Sequence, residues 1–226
     1  MRFSLGGLSW LLAAIAWGVL TLRLWQQFQR DKGRFPKFFS IFSFCLTTSF
    51  LSFAAERIFF AGNTSALKTI LVLGNLFSIT GFLFLGYLLV YIKFPRIPTS
   101  FVFIFFLILD LAATALNATL PPIFLFEGET IVGYFPHIFS GILMFGIIAI
   151  VSIPLGTILV QKALSFSSSE EKDKTFGLGI LCFSGIIVAF FSAIFKTDLI
   201  RSTLMIVWSI GILLLTVSTQ KKYPRS

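Results

Sequence analysis

Hydrophobic and polar residues alternate along this chain in long blocks. Seven apolar stretches, at roughly 5–25, 37–60, 67–93, 100–120, 136–162, 175–195 and 201–219, are separated by short polar or charged segments. A helix rises about 1.5 Å per residue, so about twenty apolar residues cross the roughly 30 Å hydrocarbon core of a bilayer. Every backbone N–H and C=O inside that core must be paired within the protein, and a helix does this along its own length. The pattern predicts an all-α integral membrane protein, a seven-transmembrane-helix bundle formed as a single domain over 1–226.

Finer signals punctuate the blocks. Pro154 should kink the fifth helix, with Ser152 and Thr157 placed to help the freed carbonyls. Gly185, Ala189 and Ala193 recur every four residues on the sixth, a ridge suited to close helix approach. Ser167 stands three residues before Glu170, the spacing of a capping box at the start of that helix. Pro121 and Pro122 end the fourth helix, since proline cannot continue it and restricts its predecessor. The segment that follows, IFLFEGETIVGYFP, predicts a strand-like flap over one mouth of the bundle.

Composition agrees with the pattern. The chain is 57% hydrophobic and 12% charged, against about 25% charged residues in soluble domains. Its net charge of +9 falls between the spans, which reads as a topology signal and not as a nucleic-acid-binding face. One side collects thirteen cations: Arg23, Arg30, Lys32, Arg34, Lys37, Lys93, Arg96, Lys162, Lys172, Lys174, Lys221, Lys222 and Arg225. The other holds five: Arg2, Arg57, Lys68, Lys196 and Arg201. The positive-inside rule then places the N-terminus outside and the C-terminus in the cytoplasm, with Trp25, Tyr91 and Tyr223 at the cytoplasmic interface. Because the basic cluster follows the first span, that span is expected to be retained and not cleaved as a signal peptide. The basic first loop, QQFQRDKGRFPKFF, and the C-terminal Lys221–Arg225 segment are expected to anchor the topology and to meet a cytoplasmic partner or anionic lipid. Compact loops without extracellular cysteine pairs point to a prokaryotic cell membrane.

Polar residues within the spans are the candidate chemistry. Asp110 lies at the midpoint of the fourth span, SFVFIFFLILDLAATALNATL, where a carboxylate costs roughly 2.5–3.5 kcal/mol and usually faces other helices or water. Helical spacing puts Ala113, Thr114 and Asn117 on its face, continued in the other direction by Phe103, Phe106 and Leu107. On the second span Thr48, Ser52, Ala55 and Glu56 share a face, and on the third Asn75 and Ser78 lie three apart. Glu56, Asn75 and Asn117 fall roughly 7–10 Å from their span midpoints toward the outside. Arg57, Lys196, Asp198 and Arg201 are expected at the same rim, paired with these acids. The expected pocket for a ligand or ion is therefore Asp110, Asn117, Thr114, Asn75 and Glu56, with Glu56 and Arg57 as a structural ion pair. Asn63 and Asn117 each begin a glycosylation triplet on that side.

Enzymatic readings find little support. His137 is the only histidine, which excludes multi-histidine zinc and bis-histidine haem sites, and its three-residue spacing from Ser140 on one helix suits no catalytic dyad. Cys45 and Cys182 form neither a redox pair nor a metal motif. In layout the chain resembles a microbial rhodopsin, a family that holds retinal on a lysine in its last helix. Here that helix reads RSTLMIVWSIGILLLTVSTQ, with no lysine before Lys221, so no retinal, haem or zinc cofactor is expected. It also resembles the seven-helix input regions of bacterial sensors, with any output module expected on a separate polypeptide. The leading functional expectation is a receptor-like or sensory protein with a polar pocket in its outer half. The alternatives are a small transporter or transporter subunit using Asp110 as a proton or cation coupling site, and a non-catalytic scaffold.

Overall fold

The computed structural model describes residues 4–127, 130–194 and 198–222. Seven helices long and apolar enough to cross a membrane account for most of the chain, as in a multi-pass membrane protein. They are α1 (Leu5–Asp31), α2 (Arg34–Phe59), α3 (Thr64–Lys93), α4 (Thr99–Thr119), α5 (Ile138–Ser165), α6 (Ser169–Ile194) and α7 (Asp198–Lys222). Between α4 and α5 lie two antiparallel strands, β1 (Ile123–Glu127) and β2 (Thr130–Phe135). The expected flap is this hairpin, so the bundle carries a small β element at one end.

The helices run beyond the apolar blocks because polar residues can extend a helix once it leaves the hydrocarbon. Most of the expected basic first loop is helical. Only Lys32 and Gly33 separate α1 from α2, and Lys32 ends α1 in a left-handed conformation (φ 50°) with its N–H on the Phe28 carbonyl. At the other end the Ser4 hydroxyl caps α1 by accepting from the Gly7 N–H. Asn63 caps α3 by accepting from the Ala66 N–H, and Asn117 is buried. The asparagine of the second glycosylation triplet is thus buried, while Asn63 is exposed at a helix cap. Helix α6 starts at Ser169, with the Ser168 carbonyl accepting from the Lys172 N–H, so the cap sits one residue later than the sequence spacing suggests. Helix α5 continues through Pro154, and Thr157 donates to the Ile153 carbonyl, not to the Ile150 carbonyl that the proline leaves free.

Neighbouring helices pack α1–α2–α3, then α3 against both α4 and α5, then α5–α6–α7, and α7 closes back on α1. The centre is aromatic. Trp17 of α1 lies against Phe42 of α2 and Trp208 of α7, with ring centroids 5.4 and 5.6 Å apart, and Phe42 meets Phe82 of α3 at 5.1 Å. Glycines admit rings between helices. A Cβ on Gly74 would meet the Phe53 ring at 2.5 Å, one on Gly86 the Phe106 ring at 2.5 Å, and one on Gly156 the Phe183 ring at 3.1 Å. The last of these, with Gly179 against Val160, forms the tight α5–α6 contact. Gly185 instead lies at ordinary distance from Trp208, so the close approach of α6 runs through Gly179 and not through the predicted ridge.

The hairpin is fastened to the same end as the α2–α3 turn. Gly62, at φ 86°, donates its N–H to the Ile131 carbonyl at 2.8 Å, and Ile131 packs on Leu67 and Leu71 of α3. Phe135 closes the other end of β2 beneath Arg201, whose guanidinium lies 3.9 Å from its ring centroid. This face is called the hairpin end below, and the opposite face the basic end.

Replacing Gly86 by alanine drives a methyl into the Phe106 ring. The expected cost is about 1–3 kcal/mol, as for other overpacked contacts. Gly141, with nothing within 4 Å of its Cβ position, should accept alanine at no cost. Denaturation of both variants in detergent micelles checks this, and equal stabilities would contradict the packing.

Candidate functional site

The buried stripe of α4 is Val102, Phe106, Asp110, Ala113 and Asn117, steps of four and three residues that keep one face of a helix turned inward. Phe103 and Leu107, expected on this face, are exposed, because the inward face follows the contact with α3. Thr114 is half-buried beside the stripe. Asp110 is 2% exposed, and its Oδ2 accepts from the Thr80 hydroxyl of α3 at 2.7 Å. Asn117 is 4% exposed, and its Nδ2 donates to the Met144 sulfur of α5 at 3.5 Å. A thioether has no proton to give, so the amide must turn its N–H toward it and leave its oxygen free for another donor.

The two contacts fix the site's position. Asp110 ties α4 to α3, and Asn117 ties α4 to α5, while α3 and α5 also pack on one another. From Asp110 toward the hairpin end, Thr114 lies about 6 Å and Asn117 about 10.5 Å farther along the axis at 1.5 Å per residue. Asn75 stands five residues from Thr80 in the same direction on α3, and Ser140 four residues from Met144 on α5. Within these three helices the buried atoms Asn75 Nδ2, Asp110 Oδ1, Thr114 Oγ1, Asn117 Oδ1 and Ser140 Oγ have no hydrogen-bond partner. Buried polar groups are nearly always paired, and leaving one unpaired costs about 1–3 kcal/mol. Four of them, on α4 and α5, lie between the mid-membrane acid and the hairpin end and form a polar cluster that the protein's own side chains do not complete. Asn75, seven residues from Phe82, is on the face of α3 that meets α2 and lies apart from it.

Toward the basic end the same seam is apolar. Phe106 fills the notch at Gly86, Val102 lies a turn below, and the inward stripe of α5 continues as Ile147, Val151, Leu155 and Leu159. The cluster therefore occupies one half of the seam only.

The other expected site residues lie elsewhere or outside the description. Glu56 and Arg57 are buried at the hairpin end of α2, which packs on α1 and α3. Arg57 lies against α1, its Cβ 3.5 Å from the position a Cβ on Gly7 would take. Glu56 stands two turns from Ser49, on the face of α2 turned to α3, and so at the α2–α3 seam and not beside Asp110. Thr48 and Ser52 are half-buried, each bonded to its own helix, while the buried face of α2 presents Ser43 and Ser49. Arg201 lies over Phe135 and, at 5.9 Å, Trp10. Lys196 and the Asp198 side chain fall outside the described residues. Sequence reasoning passed over Thr80, Ser140 and Met144. Thr80 has a signal, being a hydroxyl within one turn of Ser78 on a span that must face Asp110; nothing in the pattern singles out Met144.

If Thr80 and Asp110 are joined as described, Thr80→Val and Asp110→Asn should not be additive. The coupling in a double-mutant cycle should approach the upper range for hydrogen bonds between membrane helices, about 0.6–1.7 kcal/mol. Unfolding of the four proteins in micelles measures it, and strict additivity would break the contact. Comparison with protein families, curated proteins and solved structures finds no match for the chain.

Proposed function

We propose that this chain is a receptor-like or sensory membrane protein whose α3–α4–α5 cluster binds a small polar ligand or ion. The hairpin end faces outside, with the N-terminus on that side and the C-terminus in the cytoplasm. This orientation is supported by the excess of Lys and Arg at the basic end, where Arg34 lies 4.9 Å from the Tyr91 ring centroid and Lys32 and Lys37 lie over Phe28. The basic end then meets anionic lipid or a cytoplasmic partner, in a plasma membrane of prokaryotic type.

The observation that carries the reading is the set of four unpartnered buried polar atoms on α4 and α5. A scaffold gains nothing from them, because an apolar side chain of similar shape would pack at lower cost. A binding site requires them, since groups already paired within the protein have nothing to offer a ligand. The seam's closure toward the basic end supports a receptor over a transporter, which needs access from both sides. The transporter reading retains one specific support, the placement of Asp110 at mid-span with one carboxylate oxygen uncommitted. Both readings are non-catalytic and assign no cofactor.

Residues kept for binding weaken the unliganded protein. Ser140→Ala and Thr114→Val should accordingly leave stability unchanged or raise it by up to about 1 kcal/mol. Ser49→Ala, which breaks the 2.8 Å hydroxyl contact with Ser78, should lower it. Thermal melts in micelles compare them, and a loss of more than about 1 kcal/mol in both pocket variants would mark those hydroxyls as structural.

A further inference from the structure

The unpartnered atoms follow a sequence along the membrane normal. On α4 the axial steps from Asp110 to Thr114 and from Thr114 to Asn117 are about 6 and 4.5 Å. A direct hydrogen bond spans about 2.8 Å, and two of them joined through one water span at most about 5.6 Å. Both axial steps exceed a direct bond, and the reach of the side chains brings each within about one bridging water. Ser140 adds a fully buried hydroxyl on α5, four residues from Met144 toward the hairpin end. Hydroxyls both donate and accept, and the Asn117 amide supplies one function or the other, so the row contains what a hydrated proton path needs.

The row ends at Asp110. Thr80 holds one carboxylate oxygen from α3, and Cys45 of α2 packs at Gly81, the residue after Thr80. The charged residues of α3, Lys68 and Lys93, stand near its two ends. Beyond Asp110 the Phe106 ring lies flush on α3 at Gly86.

We propose that this row is a half-channel, an inlet that carries water and protons from the hairpin end as far as Asp110 and is closed beyond it by Phe106. The inlet rests on the reading of the cluster as a functional pocket and adds its route of access and its cargo. It makes the Asp110 carboxyl a reporter of the solution on one face of the membrane only.

Single-cysteine variants Asn117→Cys, Thr114→Cys and Val102→Cys, built on Cys45→Ser and Cys182→Ser, test this in sealed vesicles of known orientation. A small, charged methanethiosulfonate added at the hairpin end should modify Asn117→Cys and Thr114→Cys at least tenfold faster than the same reagent added at the basic end. Val102→Cys should react from neither side. A second measurement needs no substitution: in nanodiscs, hydroxyl radicals made from water by X-rays should oxidise Met144, beside Asn117, at least tenfold faster than the buried Met205. Modification from the basic end, or equal oxidation of the two methionines, would overturn the inlet. The two readings fail separately. A dry row with unharmed Ser140→Ala and Thr114→Val stability removes the inlet and leaves the pocket. A wet row with both of those variants destabilised removes the pocket's ligand role and leaves the inlet.

Discussion

A polar side chain inside an apolar bundle finds its partner on a neighbouring helix, and this constraint sets how the seven helices meet. Nearly every seam has one such clasp. Thr21 donates to Ser43 at 2.9 Å between α1 and α2, and the Ser49 and Ser78 hydroxyls are hydrogen-bonded at 2.8 Å between α2 and α3. Thr80 and Asp110 join α3 to α4, and Asn117 and Met144 join α4 to α5. Trp208 donates to Ser184 at 2.9 Å between α7 and α6, and Arg23 donates to the Thr216 carbonyl to close α1 on α7. Lipid tails are as apolar as the helix surfaces, so burial alone does not select a neighbour. Directional bonds and ring-in-notch contacts do, and α5–α6 relies on the notches at Gly156 and Gly179.

Single buried polar atoms are left over at Trp17 of α1 and Ser202 of α7, but the α4–α5 seam leaves four, at Asp110 and on its hairpin side. The hairpin connects α4 to α5 and is fastened to the α2–α3 turn and, through Phe135, to Arg201 of α7. On the proposed receptor reading, a segment that bridges these helix ends would couple the cluster's occupancy to their spacing, through α4, whose outward face is exposed and which packs chiefly on α3 and α5.

The helices were legible in the sequence because each needs only a run of apolar residues, and all seven lie where the runs fall. Asp110 was legible as an inward residue because its cost in lipid leaves few other places for it. Partners were harder to read. The face containing Thr48 and Ser52 looked functional by spacing, yet hydroxyls on a helix can return their protons to their own carbonyls, and these do. Ser49, one residue from Thr48, is the one that crosses to α3. Glu56 shares a depth with Asn75 and Asn117, but depth does not say which seam a residue faces. Met144 became visible only once the rotation of α5 was fixed by packing that residue type alone does not order.

The account turns on whether Asp110 meets water or lies in a dry hydrogen bond. The most direct measurement is the infrared carboxyl band assigned by the difference between wild type and Asp110→Asn, followed across pH. The account predicts a band that titrates reversibly. A band that stays protonated at every pH, with Asp110→Asn as stable as wild type, would make Asp110 a neutral structural hydrogen bonder and contradict it.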